Sequence, residues 1–448
     1  MQRIYILVLS KIYNMTRKIN KRLKYVMLGI CVFCFVMNCI LYTAWHTFGL
    51  TIGYAELLVT NSLFLILIIV FSVDDMIKPV EWNKTIFIPW ILCFILIIIS
   101  GIHHDIPQAF LFSSFINLMI FPCLYFVWAD RKDVETLYII VCKATLLAFF
   151  IYFTYNLILS PLAEDTAYYG IAINPNSNGF IGLAGIISAL YLICAERAKW
   201  YYILLSGMSM ALIYVSLSRA SVIAAVLVLL TFIICYYRSK IERKMSFLKT
   251  TLVIFSVIAV IFVSLGAYRC FLINITPEIN SYITSEMILE VYAEDQDWED
   301  ENVLLEKFNK GDDFNELTSG RYQIWKAYVE KLNLLGNERG KMGLYIDSLG
   351  RNASSHNNYI EIAYRSGIPA GLLYAFVAVY AAIYAFRFMF SKTRFDYKLS
   401  FMPMAVVAFG VLSNLERAMY PLEKVHIFMF FIALIPMFVC NKEKHIAE

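Results

Sequence analysis

Residues 219–237 read RASVIAAVLVLLTFIICYY, an apolar run with one arginine at its start and no other charge. A helix that crosses a bilayer needs about 20 predominantly apolar residues, so this run predicts a membrane-spanning helix. The same rule, applied outward along the chain, predicts about twelve spans. Their predicted ranges are near 25–45, 55–73, 86–101, 108–129, 137–159, 178–195, 201–217, 219–237, 249–270, 368–390, 400–418 and 422–440.

The composition indicates a protein whose solvent is largely lipid. Hydrophobic residues make up 60% of the 448 residues and charged residues 16%, whereas soluble domains usually carry about 25% charged residues. The net charge of +4 comes with no basic stripe of the kind that binds nucleic acid. The ten cysteines show neither zinc-site nor disulfide spacing and are interpreted as small buried hydrophobes. We expect no metal site and no cofactor.

Basic residues alternate between the predicted connections. Lysine and arginine collect on the cytoplasmic connections of membrane proteins. They are frequent in the N-terminal segment, in the even-numbered connections and at the C-terminus, whereas residues 46–54, 102–107 and 160–177 contain none. The pattern predicts a multi-pass protein of the inner (cytoplasmic) membrane with both termini in the cytoplasm. The basic segment 1–24 lacks a small-residue cleavage site, so the first apolar run is expected to be a retained anchor.

One predicted connection is far longer than the others. We divide the chain into a membrane domain (1–270, with the basic N-terminal segment and spans one to nine), an extracytoplasmic loop (271–356) and the C-terminal spans (357–448). The loop is predicted to form helices near 281–309 and 319–334, followed by an irregular glycine-rich run over 336–355. The expected fold class is an all-α integral membrane bundle with one large outer loop subdomain between spans nine and ten.

Three residues in unusual positions are candidates for chemistry. Arg219 lies between two apolar spans, where burial of a charge costs a few kcal/mol unless it is paired; it is either an arginine that snorkels at a helix end or part of an anion site. Arg321 lies in the long loop. His356 lies where the chain re-enters the membrane, and the helix break over 367–371 would hold it at the mouth of the bundle. Histidine is often structural, but it can exchange a proton near neutral pH.

Several other polar motifs have competing interpretations. Asn174-Pro175-Asn176 fits a turn and helix N-cap, and its amides could also bind sugar hydroxyls or phosphate. The acidic run 294–301 contains a D-x-D spacing but is better explained as a solvated face than as a metal site. The run 336–342 lacks the spacing of a phosphate loop. Glu416 and Arg417 lie at an outer mouth, where they could pair with each other or line a site.

These motifs together resemble the O-antigen ligase and O-antigen polymerase (Wzy-type) superfamily. The resemblance covers nearly the whole chain in architecture. It is carried by Ser-Arg-Ala at 218–220, Arg-x-x-x-Trp at 321–325, His-Asn at 356–357, Gly-Ile-Pro-Ala-Gly at 367–371 and the Asn-Pro-Asn motif. At Ala370 the sequence departs from the ligase pattern, which expects Gly, Thr or Tyr there, and the polymerase is therefore the leading hypothesis.

The resemblance implies a GT-C-like helical bundle that transfers glycans from undecaprenyl pyrophosphate at the outer leaflet, without a metal or a nucleotide-sugar donor. Its partners would be a lipid-linked oligosaccharide, the lipid bilayer and a chain-length regulator. It assigns Arg219 and Arg321 to the pyrophosphate and His356 to general-base catalysis. The remaining substrate contacts would come from Asn174, Asn176, Asn357 and Arg417.

Two alternatives to the polymerase stay open. A ligase would transfer the finished glycan to a lipid A-core acceptor. A transporter or flippase would place ionisable residues near the membrane midplane, often on broken helices in two related halves. The predicted spans are nearly free of charge, with Glu56 and Lys143 among the exceptions, which disfavours the transporter.

Overall fold

The computed structural model describes residues 2–44, 53–75, 80–104, 108–129, 134–159, 168, 170–172, 174–196, 198–270, 321–338, 343–346, 351–391, 395–415 and 422–438. Over these ranges the chain is a helical membrane protein with one small pair of strands. Ten helices are long and apolar enough to cross a bilayer, and two further apolar helical segments are shorter. The multi-span helical fold predicted from hydropathy is therefore confirmed.

A helix is found at each predicted span, with ends that differ by a few residues. In chain order these helices are α2 (Lys21–Thr43), α3 (Tyr54–Ser72), α4 (Lys84–His103), α5 (Gln108–Ala129), α6 (Val134–Leu159), α7 (Pro175–Ala195), α8 (Trp200–Val215), α9 (Arg219–Glu242), α10 (Phe247–Cys270), α13 (Ile368–Phe390), α14 (Phe401–Leu415), and the pair α15 (Val425–Ala433) and α16 (Ile435–Phe438). The last predicted span is divided because Pro436 lacks an N–H group and disfavours helix continuation. The other helices are α1 (Gln2–Thr16), α11 (Arg321–Glu330) and α12 (Asn358–Ser366).

Helix α1 is an element that hydropathy did not predict. It is amphipathic: Tyr5 and Leu9 are buried, whereas Leu7 and Met15 are 59% and 82% exposed. The Tyr5 hydroxyl donates to the Leu118 carbonyl in α5 (3.2 Å). Arg3 and the other charges of this segment lower its mean hydropathy, so a search for long apolar runs passes over it.

The two ends of the bundle differ in their residues. At one end, Arg243 donates to the Cys194 carbonyl at the end of α7 (2.7 Å), and Lys398 pairs with Glu135 at the start of α6 (2.8 Å). Lys24 donates to the Val73 carbonyl there (2.7 Å). We call this the basic end. The N-terminal ends of α7 and α9 lie at the opposite end together with His356, and we call that the histidine end.

A small subdomain sits at the histidine end. Its core packs α11 against a hairpin of β1 (Leu344–Ile346) and β2 (Arg351–Ala353), with Leu344 opposite Ala353. The prediction of an irregular run over 336–355 is therefore wrong over these strands. Each strand has only three residues, so the sequence shows too little alternation of apolar and polar residues to reveal it. The predicted helix near 319–334 is observed as Arg321–Glu330. The predicted helix near 281–309 lies outside the described residues.

Candidate functional site

A sharp turn between α8 and α9 presents Arg219 at the histidine end. Leu217 adopts a left-handed backbone conformation (φ +48°), which reverses the chain within three residues, and Ser218 is the N-cap position of α9. The hydroxyls of Ser218 and Ser221 are hydrogen-bonded at 3.0 Å. Arg219 is the first residue of the helix, so its side chain starts at the end of the bundle rather than at mid-span.

The start of α7 lies directly against the start of α9. A Cβ atom at Gly179 would lie 2.5 Å from the Ser221 hydroxyl oxygen, so only glycine permits this approach. One turn earlier, the Asn174 side chain accepts a hydrogen bond from the Asn176 N–H (2.8 Å) and caps α7. The Asn-Pro-Asn motif thus forms the predicted N-cap next to Arg219. Sugar or phosphate binding by Asn174 and Asn176 stays a prediction.

Buried amides hold the chain segment that precedes this cap. The Asn178 amide donates to the Tyr168 carbonyl (2.9 Å), and Asn156 accepts from the Ile171 N–H (3.0 Å). Asn156 and Asn178 are both fully buried. These bonds tie the backbone of Tyr168 to α7 and that of Ile171 to α6, next to the start of α7.

Helix α11 carries Arg321 to the same end of the molecule. Trp325 lies one turn after Arg321, and its indole N–H donates to the Ser355 carbonyl (2.8 Å). A further turn on, the Tyr328 hydroxyl donates to the Ala353 carbonyl (2.9 Å). These two bonds fasten α11 to the backbone that leads directly into His356.

His356 occupies a left-handed position between two anchored residues. Its φ is +48°, a region that non-glycine residues rarely adopt. On its C-terminal side Asn357 caps α12, accepting from the N–H groups of Tyr359 (3.0 Å) and Ile360 (3.1 Å). The Asn357 amide nitrogen donates to the Asn414 carbonyl (3.3 Å). Both ends of the Asn357 amide thus have protein partners, so its observed role is a helix cap; substrate binding by Asn357 stays a prediction.

The site gathers positive charge. Arg219 begins α9, and Arg321, far apart in sequence, begins α11, which is fastened to the backbone before His356. Each of the two has partners in the protein. Guanidinium groups bind anionic oxygens through paired hydrogen bonds, so two arginines at this end favour an anionic ligand.

A buried ion pair lies behind His356. Glu361 is fully buried, and its Oε1 lies 2.5 Å from Nε of Arg365 on the next turn of α12. Burial and the nearby Glu361 carboxylate raise the pKa of the Tyr328 phenol to about 12. Tyr328 therefore stays a neutral hydrogen-bond donor to Ala353 over the physiological range.

Some predicted candidates lie elsewhere or outside the described residues. Arg417 and its neighbour Glu416 fall outside them, as do Asp295 and Asp297. Lys143 lies at the basic end, where it pairs with Glu196 (2.5 Å). Among the described residues no three His, Cys, Asp or Glu side chains are grouped as a metal ion would require.

The contacts around Ser355 were not predicted from the sequence. Glu361 and Arg365 stand four residues apart, a spacing at which opposite charges face each other on a helix, so their pairing had a signal in the sequence. No sequence signal shows that the same carboxylate reaches the backbone before His356.

Comparison with known proteins adds no family to this description: no protein-family model and no curated protein matches the chain.

Proposed function

We propose that this chain is a membrane glycosyltransferase that polymerises glycan repeat units carried on undecaprenyl pyrophosphate. The observation that supports it most is that Arg219 at the start of α9, Arg321 at the start of α11 and His356 lie at the same end of the bundle. Two arginines from separate elements suit a diphosphate, because guanidinium groups bind phosphate oxygens in bidentate pairs.

In the proposed reaction the bond between the donor sugar and the diphosphate breaks. Negative charge then accumulates on the departing diphosphate, and preorganised positive groups aimed at that charge are a main source of rate enhancement. Arg219 and Arg321 supply those groups. The cleaved bond drives the transfer, so the reaction needs no nucleotide.

His356 is the proposed general base. It takes the proton from the acceptor sugar hydroxyl as that oxygen attacks the anomeric carbon, a role typically worth about 10²- to 10⁴-fold in rate. The lipid diphosphate leaves from the opposite face, so the anomeric configuration inverts. The neighbouring hydrogen bonds of Ser355 and Asn357 hold the backbone on either side of this imidazole.

We further propose that the histidine end faces away from the cytoplasm. Lysine and arginine at the basic end belong on the cytoplasmic side by the positive-inside rule. The lipid-linked substrate would then be used at the outer leaflet of the inner membrane, with both chain termini in the cytoplasm.

Deletion of the gene tests the class of reaction. Single repeat units attached normally at the cell surface are expected for a polymerase. Complete chains stranded on the lipid carrier would indicate a ligase, and an unchanged surface glycan would contradict both.

A point variant tests the proposed base. His356→Gly suits the left-handed backbone position, so it removes the imidazole while the turn is kept. We expect no polymer from His356→Gly when it is supplied to the deletion strain, at wild-type protein levels in the membrane. Polymer of normal length from this variant would remove His356 from the mechanism.

A further inference from the structure

Ser355, the residue before His356, is hydrogen-bonded at each of its polar atoms. Its N–H donates to Oε2 of Glu361 (3.2 Å), and its carbonyl accepts from Trp325 (2.8 Å). Its hydroxyl donates to the Asn357 carbonyl (2.9 Å) and accepts from the Asn357 N–H (3.3 Å). Ser355 is fully buried, so none of these bonds competes directly with water.

The Glu361 carboxylate is itself held in one orientation. Its Oε1 pairs with Arg365 and its Oε2 faces Ser355. Arg365 is in turn fixed through its backbone, since its carbonyl accepts from the Ser100 hydroxyl in α4 (3.0 Å). A buried ion pair adds little to stability compared with apolar packing. The Glu361–Arg365 pair is better explained by the Ser355 N–H group that the Glu361 carboxylate binds.

Glu361 and Trp325 hold the backbone directly before His356, whose own φ is left-handed. A left-handed φ at a residue other than glycine persists only where its surroundings hold it. In His356 that conformation decides the direction in which the imidazole leaves the backbone. Glu361 and Trp325 bind the peptide groups on the two sides of Ser355, the residue from which the His356 turn begins.

We infer that Glu361 and Trp325 are positioning residues: by binding the N–H and the carbonyl of Ser355 they hold the His356 imidazole in its reactive place. This inference rests on the proposed role of His356 as the base. In this role Glu361 and Trp325 act through the Ser355 backbone and not on the reacting atoms. Loss of either contact should therefore lower turnover more than substrate binding, because a shift of about 1 Å can cost about 10²-fold in rate.

The test uses two variants and one matched control. Trp325→Phe removes the indole donor but keeps an aromatic ring and leaves no buried charge. Glu361→Gln removes the charge that pairs with Arg365. Glu135→Gln breaks another ion pair, that with Lys398 at the basic end, and serves as the control. Each protein is purified whole and assayed with lipid-linked repeat units extracted from the deletion strain.

We expect kcat to fall at least tenfold in Trp325→Phe and Glu361→Gln, with KM within about threefold of wild type, and to stay unchanged in Glu135→Gln. The second measurement is independent of activity. In protein labelled with ¹⁵N-histidine, six histidines give resolvable ring signals, and His356→Gly assigns the one of interest. That signal should broaden or divide in both variants and stay single in the control.

The outcomes separate the two ideas. A single unshifted His356 signal in folded Trp325→Phe would overturn the positioning role whatever the activity. A disturbed signal, together with full turnover by His356→Gly, would support the positioning contacts and reject His356 as the base. If Glu361→Gln does not fold, Trp325→Phe alone decides the question.

Discussion

Two residues beside the candidate site adopt left-handed backbone angles, Leu217 and His356, each with φ +48°. For L-residues this conformation costs roughly 1–2 kcal/mol. Leu217 places Arg219 at the start of its helix, and His356 lies between anchored neighbours. Such strain often marks functional sites; here it occurs at His356 and two residues before Arg219, and also at Lys244 near the basic end.

Candidate site residues could be predicted from the sequence where an arginine or a histidine lies next to a long apolar run. Arg219 and His356 were visible for that reason. Their neighbours were not, because the hydrogen bond from Trp325 to Ser355 joins segments whose proximity depends on the folded loop. The structure shows the amide of Asn357 capping α12, and its predicted binding of substrate stays a prediction.

A double-mutant cycle tests whether the two arginines act on one group. Arg219→Lys and Arg321→Lys should each lower kcat/KM about tenfold or more, because an ammonium cannot reproduce the bidentate fork. If both bind one diphosphate, the double variant should lose less than the product of the single losses. The cycle is measured with lipid-linked repeat units.

The control for that cycle is Arg387→Lys, since Arg387 lies near the end of α13 and is exposed. It should keep wild-type activity. Wild-type activity in Arg219→Lys would instead favour the interpretation that Arg219 snorkels at a helix end.

At the scale of elements, the spans were predictable because lipid demands long apolar helices. The third span was predicted at 86–101, and α4 extends it to Lys84–His103. Helix α1, the hairpin and α12 were not predicted, since each is short or amphipathic and is stabilised by tertiary contacts. Propensity and hydropathy are weak guides to such elements.

The contact between α1 and α5 depends on a proline. Pro122 lies inside α5 and cannot donate to the carbonyl four residues earlier, which is that of Leu118. The Tyr5 hydroxyl donates to that carbonyl instead. Tyr5→Phe should lower the free energy of unfolding by about 1 kcal/mol, measured as a lower Tm in detergent.

A second variant, at Pro122, tests whether the Tyr5 hydroxyl stabilises the fold by bonding the Leu118 carbonyl. In Pro122→Ala the helix can bond the Leu118 carbonyl itself, so Tyr5→Phe should then cost much less. Tyr13→Phe, on the same helix, is the matched control. An equal loss from Tyr5→Phe in both backgrounds would show that packing of the ring, rather than the hydroxyl, carries the effect.

At the basic end, Glu196 joins α6, α7 and α8. It accepts hydrogen bonds from Lys199 (3.0 Å) and Tyr202 (2.9 Å) and pairs with Lys143 (2.5 Å). Burial acts to raise the pKa of Glu196, and these three partners outweigh it, so the pKa is lowered. A lowered pKa in the folded state means that this stabilisation is present above the ordinary carboxyl value of about 4.3.

The stabilisation by Glu196 should disappear as the pH falls through its lowered pKa. Wild type should therefore have a higher Tm than Glu196→Gln near pH 7, and the difference should shrink in strongly acidic buffer. Thermal unfolding in detergent across this range measures it, with the exposed Glu330→Gln as control. A difference that grows on acidification would have the wrong sign for this network.

At the scale of the whole molecule, the two ends of the bundle follow from charge and connectivity together. Alternating basic connections predicted that lysine and arginine would share one side, and Lys24, Arg243 and Lys398 do lie at one end. Hydropathy alone could not show that Arg321 would lie at the same end as Arg219, since the helical pattern of the loop predicts a helix but not its position on the bundle.

Helix α10 offers a direct test of which end faces the cytoplasm. Cys270 at its last position is exposed, and Ser246 just before its first residue is exposed at the basic end. If the basic end is cytoplasmic, a membrane-impermeant maleimide should label Cys270 in intact cells. Cys270→Ser should abolish that labelling. Labelling that persists in this variant would come from another cysteine, such as Cys440, which lies outside the described residues.

The reciprocal variant completes the test on the same helix. Ser246→Cys in the Cys270→Ser background should react only after the membrane is permeabilised, because the positive-inside rule places it in the cytoplasm. The reverse pattern, with Ser246→Cys labelled in intact cells and Cys270 protected, would put the histidine end in the cytoplasm. A site that uses a lipid-linked glycan at the outer leaflet could not then be built from Arg219, Arg321 and His356.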